Sequence, residues 1–370
     1  MSSLAPALIA GGYGLVGSQI ARLLRRRHPQ LPLQLGGRHP ERGEALAREL
    51  DRAEAVPLDL MADRPLSSVT TRPSAIVAVA NDPEDRLLWD AIRLGIPYVD
   101  ITRWTQRVRE TVWQIAPERL SAPILFSSAW MGGVIPVVAA YAMRELAVTE
   151  EIDISILYAT RDQAGPNSVD YMDRLQIPFE VQLAGQRQLV EPLTDGRQVL
   201  FPGGRRAHVY RLDTPEQATL PRFSGAKTVT TRLGFDDAAS TSLLRLLVRS
   251  GIWKAISGPR FAGLRRSMLY NPGPGAPHEV VIALSGRDAA GSPRSVSASL
   301  SDPLGQSHLT AVGALLQLER VLGLGSYPVP EPRVLFPEST PRLDDCIETL
   351  REMGVVVRLE SGARSTSGGR

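Results

Sequence analysis

The sequence predicts an α/β protein, an N-terminal doubly wound parallel sheet joined to a second, mixed α/β (α+β) domain. Three observations carry that expectation. The apolar run at 7–10 opens directly into Gly11-Gly12-Tyr13-Gly14-Leu15-Val16-Gly17 and then into a helix-like stretch at 18–27, in the order strand, glycine turn, helix. The run at 74–80 is apolar almost without interruption, as a parallel strand covered on both faces must be. Between residues 7 and 127 strand-like and helix-like segments alternate, which is the signature of successive βα units.

In chain order, the second strand is expected at 33–35, a helix at 44–50 and a third strand at 55–60. The fourth strand, 74–80, closes on Asn81-Asp82-Pro83, which can cap a helix over 85–94; strands at 95–101 and 123–127 complete six βα units. Beyond Ser128 the character changes. Trp130 to Val134 leads into an apolar helix at 135–146 and a strand at 152–159, after which 163–222 is rich in Pro, Gly and Gln with short strands at 199–201 and 207–210. Helical blocks at 238–257 and 261–270, strands at 278–286 and 295–301 and a long apolar helix at 308–322 follow. We therefore expect residues 1–130 to form a nucleotide-binding domain completed by 309–360. Residues 131–308 would be the substrate and dimerisation domain, and 361–370 a disordered Gly/Ser/Arg tail.

Gly12, Gly14 and Gly17 fit G-x-G-x-x-G. In that motif one glycine makes the tight turn, the next lets backbone amides approach a pyrophosphate, and the third lets helix pack on strand. With Tyr13, Leu15 and Val16 they would set the phosphates at the positive end of the first helix. A ribose-gripping acid is usual about 20 residues further on, but here Gly37 and Arg38 stand at the end of the second strand, with Arg42 close behind. An arginine fork suits a ribose 2′-phosphate, so NADPH is expected over NADH. Asp59, at the end of the third strand, falls at the adenine pocket, and Ala80 and Asn81, at the end of the fourth, at the nicotinamide ribose.

Composition narrows the partners. A net charge of only +3 in 370 residues gives no field that would point to nucleic acid. Of the 42 basic residues only Lys227 and Lys254 are lysines, which nearly empties the list of catalytic lysines. The single cysteine, Cys346, excludes an intramolecular disulfide and a cysteine-rich metal site, and the five histidines are scattered, so no metal is expected. No run of 18 apolar residues and no basic leader precedes the first strand, which fits a cytoplasmic protein acting on a small molecule.

Beyond single motifs the chain resembles the saccharopine dehydrogenase-like family, the glutamate-forming type with an N-terminal Rossmann NADP-binding domain. The matching pieces are the glycine motif at 11–17, Gly37-Arg38, 79–83, Gly95-Ile96-Pro97-Tyr98-Val99-Asp100-Ile101, the segment 302–311, and Leu335-Phe336-Pro337-Glu338 before 350–357. The resemblance implies an inserted catalytic domain and NADP-dependent reduction of an imine between amino-acid or amine partners. The chain departs from the family at Arg103-Trp104, where a Gly-Glu pair is usual, and at Met131-Gly132-Gly133, where an Asp-Pro-Gly is usual, so its substrate is expected to differ from saccharopine.

Asp100, at the carboxyl end of a parallel strand, is the first candidate proton donor, and Tyr171 is a second, from the other domain. Arg103 and Arg161 could clamp a substrate carboxylate, with Trp104 and Trp130 as walls of the nicotinamide pocket. The short-chain dehydrogenase alternative fails, because Phe223 and Ser250 stand where Tyr-x-x-x-Lys requires tyrosine. A homodimer is the expected assembly. An alternative of another class is a nucleotide-binding, non-catalytic or membrane-associated protein, resting on the basic amphipathic stretch from Leu243 to Arg266.

Overall fold

The structure, a computed structural model, describes residues 5–163, 174–261, 263, 273 and 275–363. The chain divides into two compact units, Met1–Val134 with Ser307–Cys346, and Ile135–Gln306 with Ile347–Arg370.

The first unit is built on a parallel sheet. Its strands β1 (Ala7–Ala10), β2 (Leu33–Gly37), β3 (Ala53–Pro57), β4 (Ala75–Ala78), β5 (Tyr98–Asp100) and β6 (Ile124–Phe126) are joined at one edge by the short strand Val334–Leu335. The spatial order is Val334–Leu335, β6, β5, β4, β1, β2, β3, with every pairing parallel. This is the doubly wound order, which reverses direction between β1 and β4. β1 and β4 are buried at every residue, which is why both read as unbroken apolar runs. Leu8, Ile76, Tyr98, Ile124 and Phe126 form a core with Leu87, Leu88 and Val108.

The helices follow from local signals. α1 (Leu15–Arg27) buries Gly17, Ile20, Ala21 and Leu24, a stripe at i, i+3, i+4 and i+7, and ends on Arg25, Arg26 and Arg27, whose charges suit the negative end of its dipole. Glu319, 2% exposed on the helix Gln306–Leu322, accepts at 2.7 Å from both Arg27 and His28. α2 spans Glu44–Leu50 and α3 Arg86–Leu94. The α3 start is held by the Asp82 carboxylate, which accepts from the amides of Arg86 and Leu87, and its end by Gly95 at φ +63°. α4 (Thr105–Gln114) follows β5.

The second unit carries a mixed sheet of nine strands. β7 (Val148–Tyr158) runs parallel to β12 (Thr228–Phe235) and antiparallel to β13 (His278–Arg287). β13 pairs with β14 (Pro293–Asp302), and the final strand, Val356–Ala363, lies antiparallel beside β14. On the other side β11 (Arg206–Arg211) and β10 (Arg197–Leu200) follow β12, with β8 (Phe179–Leu183) and β9 (Gln186–Val190) attached as a hairpin. Val356–Ala363 thus belongs to the second sheet: the chain leaves the first unit at 346 rather than 360, and residues 361–363 of the expected tail are strand. β12 escapes hydropathy because Thr230, Thr231 and Arg232 are buried in its centre, where Arg232 forms ion pairs with Asp153 and Asp195. Most of the helical expectation at 261–270 lies outside the described residues. In the basic amphipathic stretch Leu244 and Trp253 are buried, while Leu243 and Leu246 are exposed.

His278, fully buried at the start of β13, has its pKa pushed down to about 3 by that burial. The unfolded chain therefore binds the extra proton first. Stability from this group is present above the ordinary histidine pKa of 6.5 and is lost as pH falls from there towards 3, with a limiting slope of about 1.4 kcal/mol per pH unit. Urea unfolding between pH 7 and 4 is expected to show this acid-side loss, and His278→Gln to flatten it; an unchanged slope in the variant would remove His278 as its cause.

Among the described residues no helix is long and apolar enough to cross a membrane, and no group of three or more His, Cys, Asp or Glu residues is placed to hold a metal ion.

Candidate functional site

In the first unit, the carboxyl ends of β1 and β4 meet at the reversal point, where open α/β sheets bind ligands. The amides of Val79 and Ala80 both donate to the Ala10 carbonyl, so the end of β4 is tied to the last residue before the glycine loop. Gly11 takes φ +91°, and a Cβ there would lie 3.1 Å from the Ala80 nitrogen. The loop then passes over β2, its Gly11 and Gly12 amides donating to the Gly36 carbonyl.

The three motif glycines do different work. A Cβ on Gly12 would sit 2.8 Å from Leu35 Cα and 2.9 Å from the Ile9 carbonyl oxygen, so this glycine is what lets the loop lie on β2. A Cβ on Gly17 would fall 2.1 Å from the Gly11 carbonyl oxygen, so α1 can cross the loop only with glycine there. Gly14 differs. It is exposed, its φ of −76° and ψ of 177° suit any residue, and its nearest conflict is the Gly11 oxygen at 3.3 Å. The protein itself places little demand on glycine at 14; the space in front of it is what a side chain would fill.

Gly14 is also the N-cap of α1. No side chain caps the helix and no acid stands in its first turn, so its first amides and its positive dipole end face the loop mouth unneutralised. The arrangement fits the phosphate cradle expected of Gly12, Tyr13, Gly14, Leu15, Val16 and Gly17, and Ala80, just past β4 and before Asn81, lies against Gly11.

At the end of β2, Tyr13 folds across from the glycine loop and its hydroxyl accepts from the His39 amide at 3.0 Å. Arg38 and Arg42 are exposed and form no ion pair among the described residues. Asp59, two residues past β3, is exposed and accepts from the Met61 amide, closing its own turn.

The end of β5 carries two of the expected site residues, Asp100 and Arg103. Asp100 is fully buried, and both its oxygens are taken: Oδ1 accepts from the Thr102 amide, the Thr102 hydroxyl and the Ser128 hydroxyl, and Oδ2 from the Tyr98 hydroxyl and Arg103 Nε. Five donors thus converge on this one carboxylate, among them the Arg103 guanidinium, and tie the end of β5 to the segments at 102–103 and 128. Arg103, 3% exposed, meets Asp100 through Nε at 3.1 Å and both Asp85 and Thr111 through Nη1. Its Nε and Nη1 are engaged in this way, and its Nη2 is buried without a hydrogen-bond partner among the described residues. Burial opposes its charge, but Asp100, Tyr98 and Asp85 outweigh this and hold the guanidinium pKa above its ordinary value.

Asp85 also pairs with Arg107, whose guanidinium lies 5.5 Å from the centre of the half-buried Trp104 ring. Desolvation pushes the Asp82 carboxyl up, against the amides of Leu87 and Leu88 that favour its charged form. Burial, with Asp100 next, raises Tyr98 well above the usual phenol range. Trp130 is half-buried and lies just before Met131, which takes φ 55°. In the second unit Arg161 is exposed, and Tyr171 lies outside the described residues. The sequence placed Asp82 in a helix cap, as the structure has it, and gave no signal for Asp85, Arg107, Thr111 and Ser128.

No protein-family model and no curated protein sequence matches the chain. Among solved structures it is similar to a myo-inositol dehydrogenase from Corynebacterium glutamicum, at 14% identity over 96% of this chain and 98% of that one, with a TM-score of 0.43. It is similar also to a scyllo-inositol dehydrogenase from Lactobacillus casei with bound NAD(H) (9%, 96% and 99%, TM-score 0.42). A dipicolinate-bound dihydrodipicolinate reductase from a Paenisporosarcina species is a third (11%, 90% and 97%, TM-score 0.41). Likeness at this level assigns no activity.

Proposed function

We propose that the chain is an NADPH-dependent oxidoreductase of the saccharopine dehydrogenase-like kind, reducing an imine or related carbonyl in a small amine or amino-acid substrate. The observation that carries this is Gly14, a glycine that neither backbone conformation nor packing requires, standing at an uncapped helix start beside two glycines that packing does require. Packing accounts for Gly12 and Gly17, and a pyrophosphate accounts for Gly14. The amides at the start of α1 would hold the pyrophosphate, Arg38 and Arg42 the 2′-phosphate, and Ala80 and Asn81 the nicotinamide side. The bound cofactor supplies the hydride. The chain's own part is to fix the ends of β4, β5 and β6, which the Asp82, Asp85, Asp100 and Arg103 network does by bonding loops that follow each of these strands.

The test is fluorescence titration with NADPH and NADH, followed by turnover with amine and oxo-acid pairs. The purified protein is expected to bind NADPH more tightly, and Arg38→Ala to lose about tenfold or more in NADPH affinity with NADH nearly unchanged. Equal losses for the two nucleotides would remove the 2′-phosphate role of Arg38, and a wild-type protein that binds neither would remove the cofactor site.

A further inference from the structure

Building on the reading of the glycine loop as an NADPH site, we propose that Tyr13 is its 2′-phosphate reader. Its ring forms the floor at the end of β2 and its hydroxyl donates to the phosphate beside Arg38 and Arg42.

Tyr13 stands in the phosphate loop, yet its ring lies against the backbone of a different segment. A Cβ on Gly37 would come 2.1 Å from Tyr13 Oη and 2.4 Å from Cζ, and a Cβ on Gly43 would come 2.8 Å from Cδ1. Neither glycine has a left-handed backbone, and Gly43 takes φ −91° and ψ −13°, open to any residue. What both glycines provide is room for this ring. Gly37 makes room for the hydroxyl end of the ring, for Cζ and Cε1 as well as Oη.

The hydroxyl is oriented as well as accommodated. It accepts from the His39 amide at 3.0 Å, so the amide fixes one lone pair, and the phenolic proton has no acceptor among the described residues. That leaves a donor at the end of β2 where chains that take NADH carry an acceptor carboxylate. Arg38 and Arg42, on either side of His39, are exposed without an ion pair among the described residues. Two cations and a phenol with its proton unassigned, with no carboxylate hydrogen-bonded to any of them among the described residues, suit a dianion that can only accept: a phosphomonoester on the ribose 2′-oxygen. Glu41, the nearest acid in sequence, pairs instead with the His39 ring at 3.3 Å.

Tyr13→Phe keeps the ring and deletes the donor. Binding of adenosine 2′,5′-bisphosphate and of ADP, followed by calorimetry, reads the 2′-phosphate directly. The wild type is expected to prefer the bisphosphate, and Tyr13→Phe to lose about tenfold in bisphosphate affinity while ADP changes by less than about twofold. Gly37→Ala, whose Cβ displaces the hydroxyl, is expected to lose the same preference. Equal losses for both probes, or none for either, would overturn the role of Tyr13 while leaving the cofactor site standing. Wild-type protein that binds ADP and the bisphosphate equally would do the same, whereas failure to bind either probe would overturn the NADPH reading itself.

Discussion

Alanine at Gly17 is expected to damage the fold, whereas alanine at Gly14 is expected to leave the fold intact and remove nucleotide binding. The Gly17 Cβ would meet backbone atoms only, the Gly11 oxygen at 2.1 Å and the Gly11 carbon and Gly12 Cα at 2.9 Å, so no side chain can rotate away to relieve it. Loop and helix must separate, at a cost of about 3 kcal/mol after the small gain in helix propensity. At Gly14 the one close contact needs a few tenths of an ångström, and stability should stay within about 1 kcal/mol of wild type. Affinity for NADPH should nevertheless fall by about tenfold or more, because the new methyl occupies the space facing the pyrophosphate. Urea unfolding and nucleotide titration of both variants would separate the two effects; a Gly14→Ala protein that binds as wild type would show that the space is not a ligand's.

The second large effect is expected at Arg103. Its removal leaves Asp100, fully buried, without a cation and Asp85 with only Arg107. Breaking a buried ion pair from one side costs about 3–5 kcal/mol, and Arg103→Ala should shift the urea midpoint accordingly. Asp100→Asn should be milder, because an amide can still accept at Oδ1 and the guanidinium keeps Asp85. If Arg103→Ala instead kept wild-type stability and lost only turnover, the arginine would be a substrate ligand after all, and its place in the network incidental.

The first sheet was legible because parallel strands are buried on both faces: β1 and β4 had to be apolar throughout, and the glycine turn after β1 marks where the chain reverses. The cap at Asp82 was legible for a local reason, since a helix start needs an acceptor within a few residues. The network around Asp100 was not. Its partners at 85, 98, 103, 111 and 128 come together only once β4, β5 and β6 are aligned, and an arginine drawn to a buried carboxylate looks in sequence like any of the chain's other arginines. Strand β12 was hidden for the related reason that a central strand can carry a buried arginine when carboxylates satisfy it, here Asp153 of β7 and Asp195 just before β10, and threonines whose hydroxyls are hydrogen-bonded. The Tyr13 slot was half visible: Tyr13 and Gly37 were named, but Gly43 was not, and that both glycines seat the ring could be seen only in three dimensions.

The small strand Val334–Leu335 has a consequence for synthesis. It completes the first sheet by pairing with Ile124 and Leu125, so the edge of β6 stays bare while some two hundred intervening residues leave the ribosome. The first unit is therefore not the first thing this chain can finish making, although it begins with the first strand. A nascent chain arrested before residue 334 would hold an open, apolar sheet edge, the kind of surface that chaperones recognise and that recruits stray strands. Gene fragments that stop near residue 134 should accordingly be poor sources of an isolated first unit, and expression designs need to carry the chain through its return segment.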